Sequence, residues 1–266
     1  MWLDDSASLR KRDIFLEKPF VNASGVLGFY PDPHTMPYLN RLGAFITNPI
    51  SRLPRTAAGN RACIPFSGGF LMHTGLGNPG ISRAIRQFRR RWADAPLPVI
   101  VHLLVEDPGS LAEMIRKLEE LENIMAVELG LSPDCTPDEI PPILEAAFGE
   151  LPVVVCLSPE QVPVLGETLV GLNPAAVHLV EPRGTLPNRD GSLVTGRLYG
   201  PAIFPQMLSA AQKLVSMGFP VIANGGIYEN WQVTAMMEVG VIAVGLGSAL
   251  WQVNPVDVFP DLDEDH

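Results

Sequence analysis

The sequence predicts a parallel α/β barrel, the (β/α)8 TIM barrel, on three observations. Short runs of Val, Ile and Leu recur along the chain and alternate with segments of helical spacing. Continuous apolar runs mark strands buried on both faces, and hence a parallel sheet with helical crossovers. Eight such runs are present, the number that closes a barrel. The last two runs, 221–224 and 241–244, end in Gly225–Gly226 and in Gly245–Leu246–Gly247–Ser248. Glycine lets backbone N–H groups approach a ligand with no Cβ in the way. Two such turns side by side suit a phosphate dianion, and the loops after strands 7 and 8 are the usual phosphate site of this fold.

In chain order, residues 9–17 alternate weakly and are expected to form a small hairpin at the barrel bottom. Strand 1 is expected at 20–23, followed by a helix over 31–39 opened by proline. Strand 2 is expected at 44–47. A long polar loop over 51–80 follows, of a length that is usually functional. Ser82 is a candidate N-cap for a helix over 82–92, whose basic end complements the helix dipole. Strands are then expected at 99–104, 126–129, 153–157 and 176–180, with helices over 110–121, 138–148 and 160–170. A second long loop, 181–200, precedes a helix over 205–217, and a helix over 230–238 joins the last two strands. The end of the chain supplies at most a stub of the last helix, which is therefore short or missing. The chain reads as a single domain over 1–266 with a short acidic tail, 258–266.

With 266 residues, 47% of them hydrophobic, there is ample chain for one large core. A net charge of −10 argues against nucleic-acid partners, which select a basic surface. The three cysteines, Cys63, Cys135 and Cys156, lack C-x-x-C spacing and form neither a disulfide framework nor a metal site by pattern. No leader-like start and no apolar run of membrane-spanning length are present, so a cytoplasmic protein with no membrane partner is expected.

Several stretches together resemble the dihydroorotate dehydrogenase family. They are Asn22–Ala23–Ser24–Gly25, GAFITNPI at 43–50, TGLGNPG at 74–80 and ELGLS at 128–132. Leu157–Ser158–Pro159, Gly200–Pro201–Ala202–Ile203 and the terminal glycine turns complete the set. The resemblance spans roughly 20–256 and implies an FMN-binding barrel that oxidises dihydroorotate to orotate. It implies that Ala23 and Ser24 lie beside the flavin ring. It also implies that Gly200, Gly225, Gly226, Gly247 and Ser248 hold the phosphate, with Asn224 at the same strand end.

The chain departs from the family where the chemistry lies. The family's two flavin lysines are replaced by Asn48, in Thr47–Asn48–Pro49, and by Cys156. An amide cannot stabilise the charge of reduced flavin as a cation would. The catalytic base position aligns with Pro133, and family asparagines become Gly130 and Met72. An Asn-Thr pair after strand 6 becomes Glu181–Pro182. Met72, Gly130, Glu181 and Arg183 are therefore expected at a changed substrate site, where Glu181 would repel a carboxylate. Cys135, Asp134 and His73 are the candidates for the missing catalytic group. His102 and His178, within strands 3 and 6, either face the mouth or are satisfied core groups.

The sequence thus supports a flavin oxidoreductase with FMN and a small-molecule substrate other than dihydroorotate. The alternatives are a non-catalytic relative acting as a subunit or binding protein, and a barrel enzyme for another phosphorylated small molecule. A missing last helix leaves apolar surface for a second copy or a partner subunit to cover.

Overall fold

A computed structural model describes residues 13–252 and 258–259. Its strands are β1 (Phe20–Asn22), β2 (Phe45–Ile46), β3 (Ala62–Phe66), β4 (Gly69–His73), β5 (Val99–Leu104) and β6 (Ile124–Gly130). Then come β7 (Val153–Leu157), β8 (Ala176–Leu179), β9 (Arg183–Pro187), β10 (Leu193–Tyr199), β11 (Val221–Asn224) and β12 (Ala243–Leu246). The helices are α1 (Ile81–Ala93), α2 (Pro108–Glu119), α3 (Ile140–Ala147), α4 (Val162–Leu172), α5 (Phe204–Ser216) and α6 (Asn230–Val239).

Eight strands pair in the order β1-β12-β11-β8-β7-β6-β5-β2, all parallel. A bridge between Val21 and Ala44 joins the two ends, so the sheet closes into the expected barrel. Side chains alternate along each strand. The outward set, such as Val101, Leu103, Val127, Leu129 and Val155, packs under the helices. The inward set, Val21, Ala44, Ile46, Ile100, Ala126, Val154, Ala176, Ile222 and Ala243, fills the barrel interior as one buried cluster. With both faces buried, the strands read as unbroken apolar runs.

The structure corrects several expected elements. The segment 31–39 is no α-helix: Pro31, Pro33 and Pro37 interrupt it, leaving turns and a 3-10 turn at Leu39–Arg41. The loops 51–80 and 181–200 contain the hairpins β3–β4 and β9–β10, which join through β4 and β10 into a four-stranded antiparallel sheet. Their strands are mostly half-exposed, so they lack the apolar signal of the barrel strands. Helix α1 starts one residue before Ser82, capped by Gly80 in a positive-φ conformation rather than by a serine side chain. Helix α2 starts earlier than expected, with the Asp107 carboxylate accepting from Ser110 N at 2.9 Å. Residues 13–17 form no strand, and the rest of the expected hairpin lies outside the described residues. After β12 only a 3-10 turn, Ser248–Trp251, is described. Val258 and Phe259 are buried, with the Phe259 ring edge-on to Phe20 at 5.3 Å. The rest of the expected tail lies outside the described residues. No helix among the described residues is long and apolar enough to cross a membrane.

Candidate functional site in the barrel mouth

The inward positions change chemistry towards the C-terminal strand ends. Two residues after the apolar interior layer, Ile100 gives way to His102, Ala126 to Glu128 and Val154 to Cys156. In the same phase Ala176 gives way to His178 and Ile222 to Asn224. In the register His102 is opposite Glu128 and Cys156 opposite His178, while Glu128 is opposite Val154 and His178 opposite Ile222, so the stagger of the tilted barrel strands brings the polar positions together.

Glu128 is fully buried at the centre of this layer. Its two carboxylate oxygens meet His102 Nδ1 and His178 Nδ1, each at 2.5 Å. Burial alone would raise the carboxyl pKa. The two imidazoles, His178 first, outweigh it and hold the group well below the usual carboxylate range. Cys156 is pushed the other way, well above the ordinary thiol range, by its burial and by the Glu128 charge. The ligating atoms of His102, Glu128 and Cys156 lie within 4.8 Å of one another. The imidazole nitrogen and the carboxylate oxygen are hydrogen-bonded to each other. Two ligands of a tetrahedral ion would stand more than about 3 Å apart, so the cluster is a hydrogen-bonded network.

Above this layer opens a cavity of about 300 Å³, bounded by the strand ends and by β4 and β10 of the small sheet. Of the residues singled out from sequence, Ser24, Met72, His73, Gly130, Glu181, Arg183 and Asn224 line it. Ser24 Oγ and both amide atoms of Asn224 are buried without a hydrogen-bond partner in the protein. Gly247 brings further predicted residues together. A Cβ built there would lie 3.0 Å from Glu181 Oε1, 3.7 Å from Asn224 Oδ1 and 3.8 Å from Ala23 Cβ.

Other predicted residues have local roles. Asn48 holds the loop after β1, its Oδ1 accepting from Gly28 N at 3.0 Å while its own N–H donates to Gly28 O at 2.7 Å. Gly200 packs on the turn between β3 and β4, where a side chain would overlap the Gly68 carbonyl. Gly225 and Gly226 have positive φ and press against α5; a Cβ at 226 would lie 2.6 Å from Phe204 N. Ser248 Oγ pairs with Tyr228 Oη at 2.6 Å. Cys135 lies in an adjoining pocket that shares Pro133, Ser158, Gln161 and Arg183 with the cavity, its thiol pushed up to about 11 by burial and by Glu139. Asp134 is exposed.

Three arginines reach the cavity: Arg55, Arg183 and Arg197. Arg183 and Arg197 are directly opposed across β9 and β10. Burial and the facing Arg197 push the Arg183 guanidinium below its ordinary range. Like charges directly opposite destabilise a sheet pair, and a bound anion would offset that cost. Arg197 also donates to the Glu181 carbonyl at 2.9 Å.

Glu181 is buried, and burial raises its carboxyl pKa despite Arg197. A carboxyl whose folded-state pKa exceeds its unfolded value stabilises fully below the unfolded pKa, and the contribution is lost as pH rises through the folded pKa. Glu181→Gln is therefore expected to gain stability over the parent as pH rises from 4 to 9 in urea denaturation. A deficit growing with pH would show instead that the ionised Glu181–Arg197 pair dominates.

Sequence reasoning did not assemble the His102–Glu128–His178 cluster. The signal was available, because each polar residue falls in phase with an inward apolar residue two positions earlier. Arg197 and the neighbouring Tyr199 were missed because residues 181–200 read as a loop.

A closed parallel barrel, with a cavity at its C-terminal mouth and glycine turns after its last two strands, defines the class: a (β/α)8 barrel with a mouth ligand site. The chain is 28% identical over 273 residues to the dihydroorotate dehydrogenase B (NAD(+)) catalytic subunit of Geotalea uraniireducens, covering 91% of this chain and 86% of that protein. It is 27% identical over 267 residues to the same subunit from Geobacter sulfurreducens, covering 89% and 84%. A putative dihydroorotate dehydrogenase A (fumarate) of Aeropyrum pernix is 31% identical over 132 residues, 50% of this chain and 43% of that protein. The crystal structure of DHODH from Eimeria tenella in complex with ferulenol shares the fold, with a TM-score of 0.67 at 13% identity over 90% of this chain and 78% of that one. No family model matches. Over most of its length the chain is therefore similar in sequence to dihydroorotate dehydrogenases, and it shares their barrel fold.

Proposed function

We propose that the barrel mouth binds FMN, and that the protein is a flavin-dependent oxidoreductase acting on a small anionic substrate other than dihydroorotate. The carrying observation is the set of buried polar atoms at the cavity that lack a well-formed hydrogen bond, Ser24 Oγ with Oδ1 and Nδ2 of Asn224, whose amide has only the Glu181 carboxyl beside it. Such atoms are rare, and each costs about 1–3 kcal/mol when left unmade. The edge of a flavin ring carries both donors and acceptors and would satisfy them. Gly247 leaves the space beside Ala23 and Asn224 open, and Gly225, Gly226 and Ser248 would supply backbone donors for the phosphate. The carboxyl of Glu181 stands at this end, where burial raises its pKa and Arg197 lies close enough to offset its charge. The residues present thus fit the group. Bound flavin supplies hydride acceptance, while the chain binds and orients the substrate and excludes water.

The anionic class of the substrate is supported by Arg55, Arg183 and Arg197. Its difference from dihydroorotate is supported by Met72, Gly130 and Glu181, which offer a bound carboxylate or amide none of the side-chain amides implied by the family resemblance. The catalytic-subunit names of the bacterial relatives support a second subunit or a second copy as partner. Flavin-loaded protein mixed anaerobically with dihydroorotate is expected to keep its yellow colour. Bleaching within seconds would overturn the substrate reading and leave the flavin reading standing.

A further inference from the structure

The most specific geometry in the mouth is that of one imidazole. His102 is held on every side but one. Its backbone N–H donates to Thr47 Oγ1 at 3.1 Å, and its carbonyl accepts from Ile50 N at 2.9 Å. Its Nδ1 meets Glu128 Oε1 at 2.5 Å. That contact turns the opposite nitrogen, Nε2, towards Gly130, and both residues line the cavity. A Cβ at 130 would overlap Nε2, so the glycine keeps this nitrogen uncovered.

The proton inventory follows from the two Glu128 contacts. An ionised carboxylate accepts only. It therefore takes N–H bonds from Nδ1 of both histidines, so the tautomer these contacts select has its lone pair on Nε2 in each ring. The two lone pairs are not equivalent. His178 Nε2 is buried without a partner, 3.2 Å from where a Gly245 side chain would begin. His102 Nε2 stands at the cavity wall. The charged and titratable groups around the pair are Glu128 between the rings, Cys156 against Glu128, and Glu181 and Arg197 on the far side of His178.

We propose that His102 Nε2 is the proton acceptor of this site, positioned by Glu128 and uncovered by Gly130. This rests on the reading of the mouth as a reaction site. In the step assigned to it, an acidic C–H or N–H of the bound ligand gives its proton to the Nε2 lone pair. The ligand–hydrogen bond breaks, an N–H bond forms, and the electron pair stays on the ligand. The resulting imidazolium lies against a carboxylate that is already ionised and aligned, so no group has to reorganise as charge develops. Cys135, whose thiol is pushed up by burial in the adjoining pocket, has no carboxylate aligned behind it in this way.

The test uses flavin-free full-length protein labelled with 15N, so it stands apart from the flavin reading. A long-range 1H–15N correlation at neutral pH is expected to show His102 with its proton on Nδ1 and a bare Nε2. A proton on Nε2 with Nδ1 bare would overturn the proposal. Diethyl pyrocarbonate, which acylates unprotonated imidazole nitrogens, gives the second readout by peptide mass spectrometry. His102 is expected to be acylated despite its burial, and Gly130→Ala to slow that acylation at least 10-fold while His73 keeps its rate. An unreactive His102 in the parent protein, or one unaffected in a folded Gly130→Ala, would overturn it. Should that variant not fold, the tautomer in the parent protein decides alone. Failure of FMN to bind would remove the flavin reading and leave these outcomes interpretable.

Discussion

Replacing Glu128 with alanine is expected to be the most damaging single side-chain deletion in this barrel, lowering stability by about 3–5 kcal/mol at pH 7. The carboxylate is fully buried and is the common partner of His102 and His178. Its removal strands two buried Nδ1–H groups, uncovers Cys156 and opens a void that the neighbouring strands cannot collapse to fill. Glu128→Gln keeps the volume and one acceptor, and should cost much less. The pH dependence has a definite sign. The folded-state pKa of Glu128 is depressed, so its contribution is present above the unfolded value and is lost as pH falls through the folded one. Urea denaturation of parent and Glu128→Ala should show a gap that is constant near neutrality and narrows below about pH 4. A gap that persists undiminished into strong acid would mean that shape, not charge, is what Glu128 contributes.

The second large effect is on ligand binding. Gly247→Val is expected to weaken FMN binding by at least about 100-fold, equivalent to about 2.7 kcal/mol. The new Cβ would stand 3.0 Å from Glu181 Oε1, and its methyl groups would extend towards Asn224 and Ala23, filling the space assigned to the cofactor. Gly247 has φ −95° and ψ −124°, outside the regions open to residues with a side chain, so the substitution also strains the backbone. The thermal midpoint is expected to fall as well, so the loss is read in a fluorescence-quench titration of FMN at a temperature where circular dichroism shows the variant folded. Unchanged FMN affinity in a folded Gly247→Val would place the cofactor elsewhere.

The barrel was legible because its signal is redundant. Strands buried on both faces write themselves as apolar runs, and the glycine turns after β11 and β12 mark the mouth by sequence alone. The elements that misled are those whose pattern is shared between states. Pro31, Pro33 and Pro37 open a helix as readily as they break one, and the strands of β3 and β9 lie half-exposed in a second sheet, so they carry no apolar run. At the site, Ser24, Asn224 and Gly247 could be named from strand ends and resemblance. The meeting of Gly247 and Asn224 with Ala23 and Glu181 is a feature of the folded chain alone. The His102–Glu128–His178 network depends on the inward phase of three separate strands, and register between strands is not written in any one of them. Cys135 shows the converse. Two positions past the expected base it reads as a candidate in sequence, and the loop places it in a pocket adjoining the mouth rather than in the wall of the mouth cavity.

The central claim is that the mouth is a flavin site. The visible absorption spectrum of freshly purified protein, followed by titration with FMN and gel filtration, tests it most directly. A flavin band that co-elutes with the protein, at a stoichiometry near one, is the expected result. A colourless protein that leaves added FMN unbound would contradict it.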